Sequence, residues 1–302
     1  MQLFLDAVST FEFSEEVTRL FHGRGGCFPG SEHINVDYYP PVILLTSFTD
    51  LADDELQLAL STIKNHWTET VADKPCNLVY QYRHGGQTQT RLLCGEVPEP
   101  HVVTEHGCQF QVHLLRGQNH GLFVDMRNGR HWVKHHAQDK KVLNLFAYTC
   151  GFSVAAMQGG AVSTVNIDMS KGALAIGKQN HLLNGFDQQV KYLGHDIFKS
   201  WGKLTKFGPY DLIIADPPSN QRGSFVATKD YARLLKRLPS LLAEGGEVLL
   251  CLNAPELSLD FLKSQVAQYS PTLVLVEQIA NPPVFKDINP DKALKVLRYR
   301  QT

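Results

Sequence analysis

From about residue 141 onward, short runs of consecutive apolar residues alternate with longer segments whose apolar residues recur every three or four positions. The runs at 142–147, 162–168, 190–193, 211–215, 248–252, 273–277 and 294–298 predict strands. The segments 152–158, 171–184, 228–242 and 257–269 have helical spacing, with Ser170 placed to cap the second of them. Such alternation predicts an α/β unit with a mostly parallel sheet flanked by helices. In sheets of this kind ligands sit beyond the carboxyl ends of the strands, where strand order reverses.

The residues before 105 have a different pattern. Residues 42–46 predict a buried strand, and 51–71 a helix with Leu56, Leu60, Ile63 and Trp67 on one side. Residues 78–82 and 90–94 flank His84-Gly85-Gly86 and read as a hairpin. Ser14 is placed to cap a short helix carrying Val17, Leu20 and Phe21, and a glycine-rich stretch comes next at 23–30. Residues 96–103, with Pro98 and Pro100, read as a linker, and 107–115 and 121–125 as paired strands. The expected organisation is a smaller α+β N-terminal domain, 1–104, serving substrate recognition, and a second domain, 105–302.

A length of 302 residues suits two domains of about 150 each. No apolar run approaches the roughly 18 residues of a membrane helix, and the apolar N-terminus lacks a basic leader, so no membrane or export role is expected. The six cysteines are scattered and never form Cys-x-x-Cys, which fits free thiols in a reducing cytosol. His131, His135 and His136 share one segment, but no acid or cysteine completes a ligand set, so no metal is expected. A formal net charge of -1 argues against tight, sequence-blind binding to nucleic acid, while a local basic face remains compatible with it.

The first strand of the second domain runs into Asn144-Leu145-Phe146-Ala147-Tyr148-Thr149-Cys150-Gly151. Strand, tight turn and helix in that order bring backbone close to a ligand. Gly151 admits the approach because it has no Cβ, and the helix N-terminus favours an anionic group. The next strand ends in Asp168-Met169-Ser170, and an acid there can accept hydrogen bonds from both hydroxyls of a ribose. The plain alternative is that Asp168 caps the next helix. A dinucleotide fold seats its pyrophosphate on Gly-x-Gly-x-x-Gly; this turn has only Gly151, which disfavours a nicotinamide oxidoreductase. After the third strand, Asp196 is placed to accept from the exocyclic amine of adenine and Ile197 to pack on its ring, with a solvated loop acid as the alternative.

The fourth strand stops on Asp216-Pro217-Pro218-Ser219. Neither proline has an N–H, so the last carbonyls of the strand are left exposed beside the Asp216 carboxylate. Such a cluster of acceptors can orient an amine or ring nitrogen towards a methyl donor. Methyl transfer from a sulfonium is an in-line displacement that needs alignment more than a strong base, and alignment supplies roughly 7–11 kcal/mol. The alternative is a proline turn in which Asp216 caps the next segment. Downstream, Arg222 opens the approach to a helix whose outer side carries Lys229, Arg233, Lys236 and Arg237, a candidate basic patch with the same pattern as a solvated helix face.

As a set, residues 144–149, Asp168-Met169-Ser170 and Asp216-Pro217-Pro218 resemble the class I S-adenosylmethionine-dependent methyltransferases of large-subunit ribosomal RNA, the guanine-N7 and cytosine-C5 members. The likeness covers 105–253, and Gly121-Leu122-Phe123-Val124-Asp125-Met126-Arg127 resembles the segment just before their catalytic core. The resemblance implies a Rossmann-like methyltransferase fold, S-adenosylmethionine as cofactor and RNA, ribosomal RNA above all, as partner. It implies that Asn144, Phe146, Ala147, Tyr148, Thr149, Gly151, Asp168, Met169, Ser170, Asp196 and Ile197 hold the cofactor, with Asp125 and Arg127 over it. Asp216, Pro217 and Pro218 would face the target base, Asp216 also touching the cofactor. Cytosine-C5 members use a cysteine nucleophile near the end of the fifth strand. Here that position falls on Asn253, as in the guanine-N7 members, and Cys251 reads as a buried strand thiol. Two departures stand out: Cys150 replaces a frequent glycine and narrows the donor pocket, and Asn220 replaces an aromatic. The expected function is methyl transfer to a base nitrogen of RNA, with Asn253 supporting the acceptor. A protein side-chain methyltransferase and a catalytically silent RNA-binding adaptor are the alternatives.

Overall fold

A computed structural model describes residues 1–71, 73–221 and 223–302; Ala72 and Arg222 lie outside the described residues. The chain forms two compact units, residues 1–125 with 282–290, and residues 126–281 with 291–302. Among the described residues no helix is long and apolar enough to cross a membrane.

The first unit contains α1 (Gln2–Val8), β1 (Thr18–His22), β2 (Ile34–Tyr39), β3 (Val42–Ser47), α2 (Asp53–Thr70), β4 (Asn77–His84), β5 (Gln87–Cys94), β6 (His101–Glu105) and β7 (Cys108–Val112). The first five strands form one sheet in sequence order. Its neighbours are antiparallel except β3 and β4, which α2 connects in parallel. Leu56, Ala59, Ile63 and Trp67 of α2 are buried against the sheet together with Phe4 and Val8 of α1.

Two expectations are corrected in this unit. Residues 14–21 do not form a helix: Val17, Leu20 and Phe21 fit helical spacing, but residues 18–22 pair with β2 and the Arg19 guanidinium forks onto buried Asp37. Nor do 107–115 and 121–125 pair with each other. His106 and Gly107 both have positive φ (49° and 75°), the conformation of a two-residue hairpin loop, so β6 pairs with β7 across them. Residues 124–126 make a single 3-10 turn instead. Because the Val17 N–H donates to the Thr104 carbonyl (2.9 Å), the β6–β7 hairpin lies with the first unit, and the units divide at 125/126 rather than at 104/105.

The second unit contains α3 (Arg127–His136), β8 (Lys141–Leu145), α4 (Gly151–Gln158), β9 (Ser163–Asp168), α5 (Lys171–Leu183), β10 (Val190–Gly194), α6 (Trp201–Phe207), β11 (Tyr210–Ala215), the short pair β12 (Asn220–Gln221) and β13 (Phe225–Val226), α7 (Ala227–Leu235), β14 (Leu242–Leu252), α8 (Leu259–Tyr269), β15 (Leu273–Gln278) and β16 (Lys295–Gln301). The main sheet has the order β10-β9-β8-β11-β14-β16-β15, with β16 antiparallel to both its neighbours. This is the expected Rossmann-like arrangement, and strand order reverses between β8 and β11. Successive residues feed opposite faces: Val248, Leu250 and Leu252 enter one core, Leu249 and Cys251 the other. The helix expected over 228–242 stops at Leu235, ahead of Pro239.

Two sets of interactions hold this frame. Midway along β14, level with the start of β8, buried Glu247 accepts hydrogen bonds from Lys140 (3.1 Å), Arg298 (2.5 Å) and Arg300 (2.8 Å), joining β8 to β14 and β16. Burial alone would raise its carboxyl, but these three cations outweigh burial and hold it at about 2. At the other end of the sheet, Cys150 is fully buried with φ 63°. A Cβ at Gly177 of α5 would collide with its Sγ. The thiol is thus turned into the core against α5 and does not narrow a surface pocket. Burial pushes it well above the usual thiol range.

Glu247→Gln is expected to cost about 3 kcal/mol at neutral pH, because it strands three cations around a buried site. The folded-state pKa is depressed, so this stability is present above the unfolded value of 4.5 and is lost as pH falls towards about 2. Urea titrations of both proteins across that window should show the difference shrinking with acid. Gly177→Ala, which would favour an ordinary helix, should here destabilise by about 1–3 kcal/mol. Adding Cys150→Gly should recover part of the loss, and a double-mutant cycle by thermal unfolding checks the coupling.

Candidate active site

The turn from β8 to α4 has an alternating backbone. Phe146, Tyr148 and Cys150 all lie in the left-handed region, with φ of 56°, 47° and 63°. Non-glycine residues rarely adopt it, and such residues concentrate at functional sites. In this turn the N–H groups of Ala147, Tyr148 and Cys150 are all bound within the protein, to the Ile167 carbonyl, Asp168 and the Ala147 carbonyl (2.7 Å), so the alternating hand serves to fix the backbone.

The turn is fastened to the neighbouring strand at two points. Ala147 N–H donates to the Ile167 carbonyl (3.1 Å), and Tyr148 N–H to Asp168 Oδ2 (2.9 Å). Asp168 Oδ1 accepts from Ser170 N–H (2.7 Å), and Ser170 Oγ then accepts from Ala173 N–H as the cap of α5. Asn180 of α5 donates to the Thr149 carbonyl (2.9 Å). Asp168 therefore shapes the local backbone as a cap would. Each of its oxygens accepts one backbone N–H, and a carboxylate has about four acceptor positions, which leaves capacity for a pair of ribose hydroxyls.

The other residues singled out in the sequence divide by burial. Phe146 and Tyr148 are half-buried, and Met169 is 49% exposed beside Asp168, an apolar surface next to the carboxylate. Ala147 and Thr149 are buried, and Gly151 opens α4. Asn144 does not reach the surface: its amide donates to Asn166 Oδ1 (3.0 Å) between β8 and β9. Asp196 stands beyond β10, its Oδ1 accepting from Phe198 N–H (2.8 Å), while Ile197 is part of the core. Asp125 closes the first unit and Arg127 begins α3 of the second; both are half-buried.

Across the reversal point, Asp216 is the first residue beyond β11 and is half-buried, with Pro217 buried and Pro218 half-buried behind it. Ala215 is level with Leu250 of β14, so the chains leaving β11 and β14 emerge side by side. The Ser219 hydroxyl donates to the Asn253 carbonyl and ties the two exits together, leaving the Asn253 side chain exposed. Tyr231 of α7 is fully buried and donates its hydroxyl to the Cys251 carbonyl. Burial, with Cys251 and Asp216 nearby, pushes that hydroxyl well above its usual range. Phe225 meets Phe146 (5.2 Å between ring centroids) and Tyr231 (5.2 Å), so aromatic packing supports both halves of the edge.

Sequence reasoning missed Ser219 and Tyr231, which look like a loop residue and a core residue of α7. The one available signal was a hydroxyl on the apolar face of a helix, which needs a partner when buried. The candidate basic patch is partly engaged. Arg233 pairs with Asp230 (2.7 Å) and lies 4.1 Å from the Phe198 ring centroid, and Lys236 lies over Tyr269.

Known proteins match this arrangement. Ribosomal RNA large subunit methyltransferase I of Aeromonas salmonicida is 29% identical over 237 residues, 76% of this chain and 59% of its own length. Ribosomal RNA large subunit methyltransferase K/L of a Psychrobacter species is 36% identical over 214 residues, 68% of this chain and 25% of that protein. This chain thus spans less than two thirds of the length of either relative. A solved structure described as a methyltransferase complexed with SAH superposes with a TM-score of 0.85 at 25% identity, covering 99% of this chain and 79% of that one. The family model of S-adenosylmethionine-dependent methyltransferases matches residues 18–300, nearly the whole sequence, and the chain belongs to that family.

Proposed function

We propose that this chain transfers a methyl group from S-adenosylmethionine to a base nitrogen of RNA, with large-subunit ribosomal RNA as the substrate class. One observation carries the reading: the Asp168-bound turn and the Asp-Pro-Pro exit lie on either side of the point where strand order reverses. The names of the relatives favour RNA over protein as acceptor.

The residues present fit the cofactor. The Asp168 oxygens have acceptor capacity for ribose hydroxyls, Met169 offers an apolar surface and Asp196 an acceptor for the adenine amine, while the left-handed turn holds Asp168 in place. When bound, S-adenosylmethionine supplies an electrophilic methyl group on a sulfonium. Asp216 and the Pro217 carbonyl accept hydrogen bonds from the target base and turn its nitrogen lone pair towards that methyl group. Ser219 keeps the Asn253 exit beside them, and the Tyr231 hydroxyl holds the end of β14 from beneath. Nitrogen is favoured over carbon because Cys251 is buried within the sheet core, so among the described residues no thiol stands at this edge to activate a pyrimidine.

Labelled S-adenosylmethionine and protein-free large-subunit ribosomal RNA should yield a product whose label is released by nuclease and survives protease. In a parallel reaction on nuclease-treated extract, label released by protease would identify a protein acceptor, and no label in either reaction would favour the silent adaptor. Asp168→Ala should weaken donor binding at least about ten-fold, since it also frees the turn. Asp216→Ala should lower kcat by about a hundred-fold, a typical loss for one oriented polar group at a reacting centre, and change donor affinity much less.

A further inference from the structure

The glycine-rich stretch after β1 belongs to the first unit. Its glycines are demanded by packing. A Cβ at Gly23 would collide with the Ser31 carbonyl, and one at Gly25 with the Lys286 carbonyl. Ile288 N–H donates to the Gly25 carbonyl (2.9 Å), and Gly26 has φ 75°. A loop fixed on both sides therefore presents Arg24 in one place. Its guanidinium carbon lies 4.3 Å from the centroid of the Phe48 ring, and that of Arg83, from β4, lies 5.6 Å from the same centroid.

Behind this pair, Arg19 is already matched. It forks onto Asp37 at 2.8 and 2.9 Å and lies over Phe285. Arg24 and Arg83 are not: among the described residues neither guanidinium makes an ion pair or a side-chain hydrogen bond. Burial and then the neighbouring arginines pull both below the usual guanidinium range, though both stay charged. His22 beside them, lowered to about 4 by burial and by Arg19, is neutral at physiological pH and adds no further positive charge. The cluster holds more positive charge than its own carboxylates balance at close range. Guanidinium groups stacked on a ring keep their edges free for bidentate hydrogen bonding to phosphate oxygens.

We propose that Arg24 and Arg83, stacked on Phe48, bind a backbone phosphodiester of the RNA substrate. The inference rests on RNA being the methyl acceptor and gives the first unit a defined part in substrate recognition.

The test is binding of protein-free large-subunit ribosomal RNA to the full chain across a series of salt concentrations, with S-adenosylmethionine binding measured in parallel. The Arg24→Gln/Arg83→Gln double variant should bind RNA about ten-fold more weakly. Its slope of log affinity against log salt should be shallower by about 0.7–1 for each phosphate no longer neutralised. The Arg24→Lys/Arg83→Lys variant should restore most of the slope, because the charge remains. Donor binding should be unchanged in both. If the wild-type chain binds RNA and the glutamine variant matches it in affinity and slope, the site is wrong while the RNA reading stands. If the wild-type chain binds the donor but no RNA, the RNA reading fails and the proposal with it.

Discussion

The carboxylate of Asp168 accepts one backbone N–H from the turn after β8 and another from the start of α5, at 2.9 and 2.7 Å. The first fastens the turn to the end of β9, and the second shapes the entry to α5. Three residues of the turn sit in a backbone region that favours glycine, although none of them is glycine. Such a conformation persists only where the surroundings over-determine it. Here they do: Asn180 holds Thr149, Ile167 holds Ala147, and the buried Cys150 thiol fills the space that Gly177 leaves open.

The sheet sets two further strand exits beside that turn. Parallel pairing of β8 with β11 and of β11 with β14 places three strand exits in a row. The first exit leads into the left-handed turn, the second into Asp216 and its two prolines, and the third into Asn253. Ser219 and Tyr231 limit how far the last two can move. At the opposite end of the parallel strands, Glu247 gathers cations from the start of β8 and from β16 and anchors β14 there. Catalysis by alignment depends on such stiffness, because small displacements of the acceptor cost large factors in rate.

The architecture of the second unit was legible because its strands are buried runs and its helices have one apolar face, so pattern and structure share a period. Legibility failed where polar side chains are buried in pairs. Asn35 and Asp37 interrupt the apolar pattern of β2, yet both are buried, and Asp37 is neutralised by an arginine of the adjacent strand. Residues 127–136 are mostly polar, so α3 shows no apolar run to betray it. Acidic strand ends and the Asp-Pro-Pro exit could be read because each motif is contiguous. The left-handed turn could not, since glycine is the usual signal and Phe146, Tyr148 and Cys150 replace it. Tyr231, like the Arg24–Arg83 pair, becomes visible only when distant segments are brought together.

Calorimetric titration of the purified chain with S-adenosylmethionine and, separately, with NAD tests the central claim most directly. The account predicts binding of the methyl donor at micromolar concentration, roughly 8 kcal/mol of affinity, and no heat from NAD. A folded chain that binds NAD, or that leaves S-adenosylmethionine unbound, would contradict it.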